Sequence, residues 1–345
     1  MKLTDLPDDL IALLLTESSI IQLRTACRQL NLLIPNLVTT ITHSRRVFQI
    51  PPVTQFRFLK FLDVSHNYIG VEGVKLLHLP RSLLHLDVGN NLLKDEGLRL
   101  LTQKLPPGLT ELILFENDFG DVGASALAAA VPPALRTLKL QCNRVNYAGI
   151  RELAERVPCT IRRLDINRNI NAGTAVVALR PALHLLQDLD IGFTYVGNEG
   201  ANEVVDKLKS VRRLVLSGCR LTHVSSRYAD SLEHLNLAFN DLGPQGAKDL
   251  PPLLRYLDLR YNKIGDEGAS VLCCYVRLQY LDLGWNEITE WFSMPPCLTA
   301  LILAGNCLKE KAFSAPPSLK LLDIHGNAKL GKKLRSETVI RTIVV

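Results

Sequence analysis

The residue types that most often carry out catalysis or bind metals are scattered along this chain rather than grouped. Its eight histidines show no spacing typical of metal ligands, and no Walker A, H-E-x-x-H or G-x-S-x-G pattern occurs. Its eight cysteines form no C-x-x-C pair and lie at Cys27, Cys142, Cys159, Cys219, Cys273, Cys274, Cys297 and Cys307. We therefore expect no enzymatic activity, no bound metal and no cofactor.

Several Gly-x-x-Gly elements invite a phosphate- or nucleic-acid-binding interpretation, because glycine-rich turns often contact phosphates. They include Gly70–Gly73, Gly120–Gly123, Gly197–Gly200 and Gly265–Gly268. Each lies just before a helical pattern, and its glycine permits the turn while an acidic residue favours the helix N-terminus. These elements are therefore interpreted as structural turns.

Charge and cysteine usage limit the kinds of partner and compartment. The chain has 345 residues and a formal net charge of +6, which permits an acidic partner but does not require nucleic acid. The acids Asp5, Asp8 and Asp9 argue against a secretory signal, and no apolar run of about 18 residues predicts a membrane span. Because the cysteines are scattered among apolar neighbours and form no C-x-x-C pair, we expect reduced thiols and a cytoplasmic protein, with a nuclear or cytoskeleton-associated location as alternatives.

The dominant feature of the sequence is the pattern L-x-x-L-x-L-x-x-N, which recurs twelve times. One copy runs from Leu109 through Leu112 and Leu114 to Asn117. The middle leucine of each copy is Leu62, Leu86, Leu112, Leu138, Leu164, Leu189, Leu214, Leu235, Leu257, Leu281, Leu301 or Leu322. The spacing of these leucines falls within the range of about 20–29 residues that leucine-rich repeats show, and the chain resembles that class.

The repeat predicts both the fold and its local geometry. Alternating leucines make a short strand with one buried face, and the asparagine can bond to backbone groups of the following turn. Thr194 and Cys219 replace two of the asparagines. The resemblance implies an α/β leucine-rich-repeat solenoid, a curved horseshoe with a parallel sheet on its concave face. We place the repeats at residues 51–330 and a basic cap at 331–345, where Val339–Val345 predicts a closing strand.

The connections between strands fall into two kinds. Long ones such as 120–130 and 149–156 have helical patterns and resemble ribonuclease-inhibitor repeats. Shorter ones after about residue 214 carry Pro-Pro before the next strand, as at Pro295–Pro296, which favours extended or turn backbone. We therefore expect helices in the first half of the array and irregular connections in the second.

Equivalent positions of successive repeats form columns, and two columns are candidate binding surfaces. The residue before the asparagine lies at the edge of the concave face, and the residue before the middle leucine lies on that face. Aromatic residues in these columns are Phe193, Phe239, Tyr256, Tyr261, Tyr280 and Trp285. Clustered exposed aromatics favour a partner contact, although rings stacked only as structural padding are the alternative.

A second group of column positions is basic. It comprises Arg136, Arg162, Arg163, Arg168, Arg212, Arg213 and Arg255, of which we select Arg163, Arg168 and Arg213 as partner-binding residues. Acids at the strand centres, Asp165, Asp190, Asp258 and Asp282, are placed to neutralise them across strands. A mutually balanced, solvated face, an acidic protein partner and nucleic acid remain as interpretations, with nucleic acid the least favoured.

The first 50 residues do not follow the repeat. A Leu-Pro-acid opening is followed by helical leucines and a Cys-basic pair, and it resembles an F-box. The matching residues are Leu6, Pro7, Leu10, Leu14, Leu23, Ala26, Cys27, Arg28 and Leu30. In that family the box docks on a Skp-type adaptor of a cullin-RING ubiquitin ligase, which implies that Leu6, Pro7, Leu10 and Leu14 bind the adaptor. The alternative is a helical cap over the first repeat, since solenoids need closed ends.

The sequence as a whole predicts a protein-recognition scaffold. The F-box resemblance implies a substrate receptor of an SCF-type ubiquitin ligase that captures its substrate on the repeats. A structural subunit of a cytoskeletal, flagellar or organellar assembly and a regulatory inhibitor that wraps an enzyme are the alternatives, since the fold alone does not choose among them.

Overall fold

The computed structural model describes residues 40–42, 58–169, 172–225, 227–309, 314–328 and 339–340. The candidate adaptor-binding residues Leu6, Pro7, Leu10 and Leu14 lie outside the described residues. The chain divides into two compact units. Unit 1 comprises Met1–Arg144 and Arg156–Ile161, and unit 2 comprises Val145–Glu155 and Arg162–Val345.

The strands of unit 1 pair in parallel, with the middle leucines of successive repeats aligned. These strands are β1, Thr40–Thr42; β2, Phe61–Asp63; β3, His85–Asp87; β4, Glu111–Ile113; and β5, Thr137–Lys139. Leu62 pairs with Leu86, and Leu86 with Leu112, in the register that the repeat predicts. The sheet begins before residue 51, because the β-branched residues around Ile41 form a strand that pairs with β2.

The connections of unit 1 are helices, as the long repeats predict. They are α1, Gly70–Leu76; α2, Lys94–Thr102; and α3, Asp121–Ala129. Apolar residues such as Leu98 and Leu127 are fully buried against the sheet. The Asp95 carboxylate accepts hydrogen bonds from the backbone N–H groups of Gly120 and Gly123, each 2.8 Å long. The Gly-x-x-Gly element at Gly120–Gly123 therefore acts as a helix-initiating turn, as the sequence predicts.

Unit 2 continues the repeat with eight parallel strands. These are β6, Arg163–Asp165; β7, Asp188–Asp190; β8, Arg213–Val215; β9, His234–Asn236; β10, Tyr256–Asp258; β11, Tyr280–Asp282; β12, Ala300–Ile302; and β13, Leu321–Asp323. The last strand, β14, Val339–Ile340, pairs antiparallel with β13. The closing strand that the C-terminal alternation predicts is therefore confirmed.

The connections of unit 2 shorten along the chain. The α-helices are α4, Tyr147–Arg156, of which only Arg156 belongs to unit 1; α5, Arg180–Leu183; α6, Gly197–Lys207; and α7, Gly265–Ser270. The 3₁₀ segments are Gly173–Leu179, Pro244–Ala247 and Val271–Cys274. The expected irregular connections after about residue 214 are confirmed except at α7, whose Gly265–Gly268 element starts a short helix.

Both units share a ladder of buried asparagines at the strand ends. The Asn117 amide donates to the carbonyls of Val88, Leu114 and Phe115 at 2.9–3.2 Å, so one side chain bonds to two successive turns. Asn262 does the same in unit 2, with bonds to Leu237, Leu259 and Arg260 of 2.8–3.2 Å. Where the asparagine is missing, the Thr194 hydroxyl donates to Ile191 at 2.7 Å and the Cys219 thiol to the same carbonyl at 3.3 Å.

Candidate partner-binding face of unit 2

The residue before each strand-end asparagine, or before Thr194 where threonine replaces it, has a left-handed backbone, and these residues define the edge column of the sheet. In unit 2 its φ angle is 57° at Arg168, 55° at Phe193, 58° at Phe239, 55° at Tyr261 and 57° at Trp285. Glycine adopts this conformation most readily, and bulky side chains are uncommon there. The turn therefore holds these side chains at some conformational cost.

The aromatic members of this column form an edge ladder, which we define as Phe193, Phe239, Tyr261 and Trp285. The Phe193 and Phe239 ring centroids are 5.9 Å apart and tilted by 47°. The Phe239 and Tyr261 rings stack at 4.7 Å and 14°, and the Tyr261 and Trp285 rings at 5.4 Å and 6°. The structure thus brings four sequence-predicted residues into one stack.

Both ends of the edge ladder are covered by other groups of unit 2. The Arg168 guanidinium lies 4.8 Å from the centre of the Phe193 ring, a cation–π distance. At the other end, a Cβ atom on Gly305 would lie 2.4 Å from the Trp285 ring, so the indole rests on the bare glycine backbone. Phe193 covers Gly218 in the same way.

The exposed surface of the edge ladder is therefore mainly its ring edges. Phe239, Tyr261 and Trp285 remain 44%, 41% and 52% exposed in spite of their stacking, and Phe193 is half-buried. Ring edges carry the positive end of the aromatic quadrupole. The ladder can present a continuous, rigid apolar strip to another molecule.

A second stack lies on the strand face, which we define as the sheet surface carrying the residues that flank the middle leucines. The rings of Tyr256 and Tyr280, the tyrosine pair, stack at 4.4 Å and 5°. His234 precedes them on β9, with its ring 5.7 Å from that of Tyr256. Both tyrosines are half-buried, so the pair is rigid and still accessible.

Acidic side chains lie between the tyrosine pair and the edge ladder. Asp258 and Asp282 are aligned on β10 and β11 and almost fully buried. Burial, followed by repulsion from Asp282, raises the pKa of Asp258 to about 6 against the attraction of Arg260. The Arg260 guanidinium lies 3.1 Å from the Asp258 carboxylate and 4.0 Å from that of Asp282, and it lies over the Phe239 ring at 5.7 Å.

The sequence-predicted arginines do not form one basic surface. Arg213 bonds to Asp188 at 2.8 Å and lies 3.7 Å from Asp190, so cross-strand acids neutralise it. Arg168 is the cap of the edge ladder. Arg163 is exposed on β6 and stands beside Asp188 in the sheet register.

Two members of the site were missed by sequence reasoning. Arg260 follows Leu259, the last leucine of its repeat, and only the burial of Asp258 and Asp282 shows why a cation is needed there. His234 occupies the same column as Tyr256, and a search for aromatic rings that included imidazoles would have found it. Arg255 pairs with Glu233 at 3.4 Å rather than with the strand-centre acid Asp258. Arg255 and Glu233 are neighbours because each directly precedes its strand, β10 and β9 respectively.

Other kinds of site were also sought in the described part of the chain. It contains no group of three or more His, Cys, Asp or Glu side chains placed to hold a metal ion. Within the same residues, no helix has the length and apolar character needed to cross a membrane.

Comparisons with known proteins agree with this architecture. A family model described as Leucine Rich repeat matches residues 57–77, 80–101, 108–128, 230–250 and 251–273. No curated protein sequence matches the chain. A chain of the mouse RP105/MD-1 complex is similar, with a TM-score of 0.51 and 19% identity over 79% of this chain and 47% of that one. The leucine-rich-repeat fold is thereby confirmed.

Two further solved structures resemble the chain more loosely. YopM from Yersinia enterocolitica WA-314 gives a TM-score of 0.43 and 21% identity, over 83% of this chain and 48% of that one. The Rad7 and Elc1 complex in yeast gives 0.47 and 15%, over 76% of this chain and 79% of that one. The chain spans about half the length of the RP105/MD-1 and YopM chains that it matches.

Proposed function

We propose that this chain is a protein-recognition scaffold that binds its partner through the edge ladder and the tyrosine pair of unit 2. The observation that carries the proposal is the stack of large, exposed rings at left-handed turn positions. Strained positions that persist in a fold often mark functional sites. Rigid aromatic side chains also dominate the free energy of protein–protein binding.

The hydrophobic core lies apart from these rings. Leu235, Leu257 and Leu281 point to the side of the sheet opposite the tyrosine pair and are fully buried. The Phe239, Tyr261 and Trp285 rings of the edge ladder add apolar surface outside that core, in a row that crosses three consecutive repeats. A contiguous exposed apolar patch of this kind is typical of an interaction surface.

Affinity purification with quantitative mass spectrometry tests this proposal. The full chain and the double variant Tyr261→Asn/Trp285→Asn are each used as bait. Asparagine replaces the rings because it tolerates the left-handed conformation. Tyr147→Asn serves as a matched control, because Tyr147 is a 50% exposed aromatic residue at the start of α4 rather than in the edge column.

The expected result is a partner recovered with the parent chain and with the Tyr147→Asn control but lost with the double variant. A stable partner that all three baits recover equally would contradict the proposed surface. Recovered peptides from the subunits of a structural assembly would indicate that the chain is a spacer. Peptides from a single enzyme would indicate that it is an inhibitor. These are the two alternatives that the sequence leaves open.

A finer proposal is that the partner is a substrate delivered to a cullin-RING ubiquitin ligase. Its support is the F-box-like pattern of Leu6, Pro7, Leu10 and Leu14. Changing Leu6 and Pro7 together to alanine is expected to abolish co-purification of a Skp-type adaptor while the partner of unit 2 is still recovered. If the parent chain never recovers an adaptor, the first 50 residues are a cap and the scaffold proposal stands without the ligase.

A further inference from the structure

The stack on the strand face ends at β12. His234, Tyr256, Tyr280 and Ala300 occupy one column in register on β9–β12. Adjacent strands are about 4.8 Å apart, so each strand supplies one rung, and the rings of the first three residues stack in sequence. Ala300 supplies only a methyl group, and it is half-buried rather than covered. The rung after Tyr280, at Ala300, therefore carries no planar group.

At turn positions elsewhere in unit 2, the chain's own arginines cover the faces of aromatic rings. The Arg168 guanidinium comes from the repeat next to Phe193 and lies over its ring at 4.8 Å. Arg220 also comes from the neighbouring repeat and lies 4.1 Å from the centre of the Tyr195 ring. Among the described residues, no ring or cation contacts the face of Tyr280 that points toward β12.

The charges around the Ala300 rung favour the binding of a cation there. Asp282 on β11 and Asp323 on β13 lie on either side of Ile302 in the sheet register. Burial raises the pKa of Asp282, and repulsion from Asp323 adds to that rise. On the strand faces of β10–β13 the described carboxylates are Asp258, Asp282 and Asp323, and the groups that oppose them are Arg260 and His325. Among these described groups, the three carboxylates outnumber the single guanidinium, so the surface has an excess of negative charge.

We infer that the rung beside Tyr280 receives an arginine side chain of the protein partner, an inference that rests on the proposed function. A planar guanidinium can lie about 3.5–4.0 Å from the Tyr280 ring, at van der Waals contact, over the methyl group of Ala300. Its N–H groups then point toward the carboxylates of Asp282 and Asp323. Lysine has the charge but no planar group, so it fits this rung less well.

A titration of the full chain with small probes tests the inference without the partner. The chain carries ¹³C-labelled tyrosine, and Tyr280→Phe assigns the Tyr280 resonance. The probes are N-acetyl-arginine methylamide, its lysine counterpart and its citrulline counterpart, which has nearly the shape of arginine but no charge. We expect a saturable shift of the Tyr280 resonance with the arginine probe and an affinity for citrulline that is at least about tenfold weaker. Equal binding of arginine and citrulline, or no saturable shift, would overturn the inference.

Three variants locate the probe. Ala300→Tyr fills the rung with a ring and is expected to abolish the Tyr280 response, whereas Ala300→Ser leaves the rung open and keeps it. Asp282→Asn retains the acceptor of the 2.9 Å bond from the Gly284 N–H, so it keeps the turn while weakening arginine binding at least about threefold. Undiminished binding by folded Ala300→Tyr and Asp282→Asn would place the probe elsewhere and contradict the inference.

The probe titration and the partner purification together distinguish a failure of this inference from a failure of the proposed function. If the arginine probe fails while Tyr261→Asn/Trp285→Asn still loses the partner, the rung assignment is wrong and the proposed function stands. If the probe binds at Tyr280 while the double variant keeps the partner, the edge ladder is not the contact. A Tyr280 resonance that moves in Arg335→Gln/Arg341→Gln without probe would assign the rung to the chain's own C-terminal segment and overturn the partner assignment.

Discussion

The turn after each strand has the same backbone conformation in both units but carries different side chains. In unit 1 the edge column holds His66, Asn90, Glu116 and Cys142, with φ angles between 50° and 59°. In unit 2 four of the equivalent positions hold Phe193, Phe239, Tyr261 and Trp285, with φ angles between 55° and 58°. The left-handed turn therefore forms with polar or aromatic residues alike.

This difference separates what the fold requires from what it tolerates. Asparagine adopts the left-handed region more readily than large aromatic residues do, so Asn90 suits the turn better than Tyr261 or Trp285. The buried asparagine one position later is common to both units. We conclude that the asparagine ladder builds the repeat, whereas the partner-binding role of the aromatic edge of unit 2 is the proposal that the experiments below test.

The asparagine ladder should matter equally in both units. Asn117→Ala in unit 1 and Asn262→Ala in unit 2 each leave buried carbonyl groups without their donor, at a cost of roughly 1–3 kcal/mol in the free energy of unfolding. Urea denaturation of the two variants measures it. The shared role would be contradicted if either variant unfolded at the parent's midpoint.

The buried acids of unit 2 should make its stability depend on pH. The Asp258 pKa of about 6 lies above the unfolded value of about 3.9, so the folded state binds this proton more tightly. The carboxyl therefore favours folding most below about pH 4 and loses that contribution as the pH rises through 6, on the order of 3 kcal/mol in total.

Asp258→Asn should remove this loss of stability between about pH 4 and pH 6. The amide stays neutral, and its oxygen can still accept the 3.1 Å hydrogen bond from the backbone N–H of Arg260. Urea denaturation across that pH range measures the effect. Asp241→Asn, at a side chain that is 59% exposed, serves as the control. An unchanged pH profile in Asp258→Asn would show that the burial of this carboxyl has no energetic consequence.

Alanine substitutions at two glycines with similar φ angles separate the cost of backbone strain from the cost of disturbing the stacked rings. At Gly70 in unit 1, φ is +58° and a Cβ would meet nothing within 4 Å. At Gly305 in unit 2, φ is +66° and the Cβ would overlap the Trp285 ring. Gly70→Ala should cost about 1 kcal/mol from the left-handed strain alone, and Gly305→Ala about 1 kcal/mol more because it displaces the stacked indole.

Tryptophan fluorescence in a Trp291→Phe background provides a second measurement for that pair. Gly305→Ala should shift the emission of Trp285, and Gly70→Ala should leave it unchanged. Identical effects of the two substitutions on stability and emission would mean that Trp285 does not rest on Gly305.

The sequence predicts the repeat closely, because the leucine spacing sets both the strands and their register. Leu62, Leu86 and Leu112 align as the pattern requires, and the C-terminal alternation predicts the closing strand at Val339–Ile340. The pattern also identifies the columns that hold Tyr261 and Trp285. It cannot give the stacking of their rings, which depends on side-chain rotamers and on the bare backbone of Gly305.

The ion-pair partners of charged residues were harder to predict from the sequence than the positions of those residues in the repeat. The role of Arg260 depends on the burial of Asp258 and Asp282, and burial depth is a property of the packed sheet rather than of the local sequence. The neutralisation of Arg213 by Asp188 could be expected from strand register. The left-handed backbone of the edge column cannot be read from its residue types, because aromatic, acidic and polar residues all occupy it.

The most direct test of the account measures stability and partner affinity together in Tyr261→Asn/Trp285→Asn, which gives unit 2 the polar edge of unit 1. Loss of two stacked pairs is partly offset by relief of backbone strain, so the free energy of unfolding should fall by less than about 2 kcal/mol. The affinity for the partner recovered by the parent chain should fall at least about thirtyfold. A loss of stability above about 3 kcal/mol with undiminished affinity per folded molecule would show that the rings hold the repeats together and that recognition lies elsewhere.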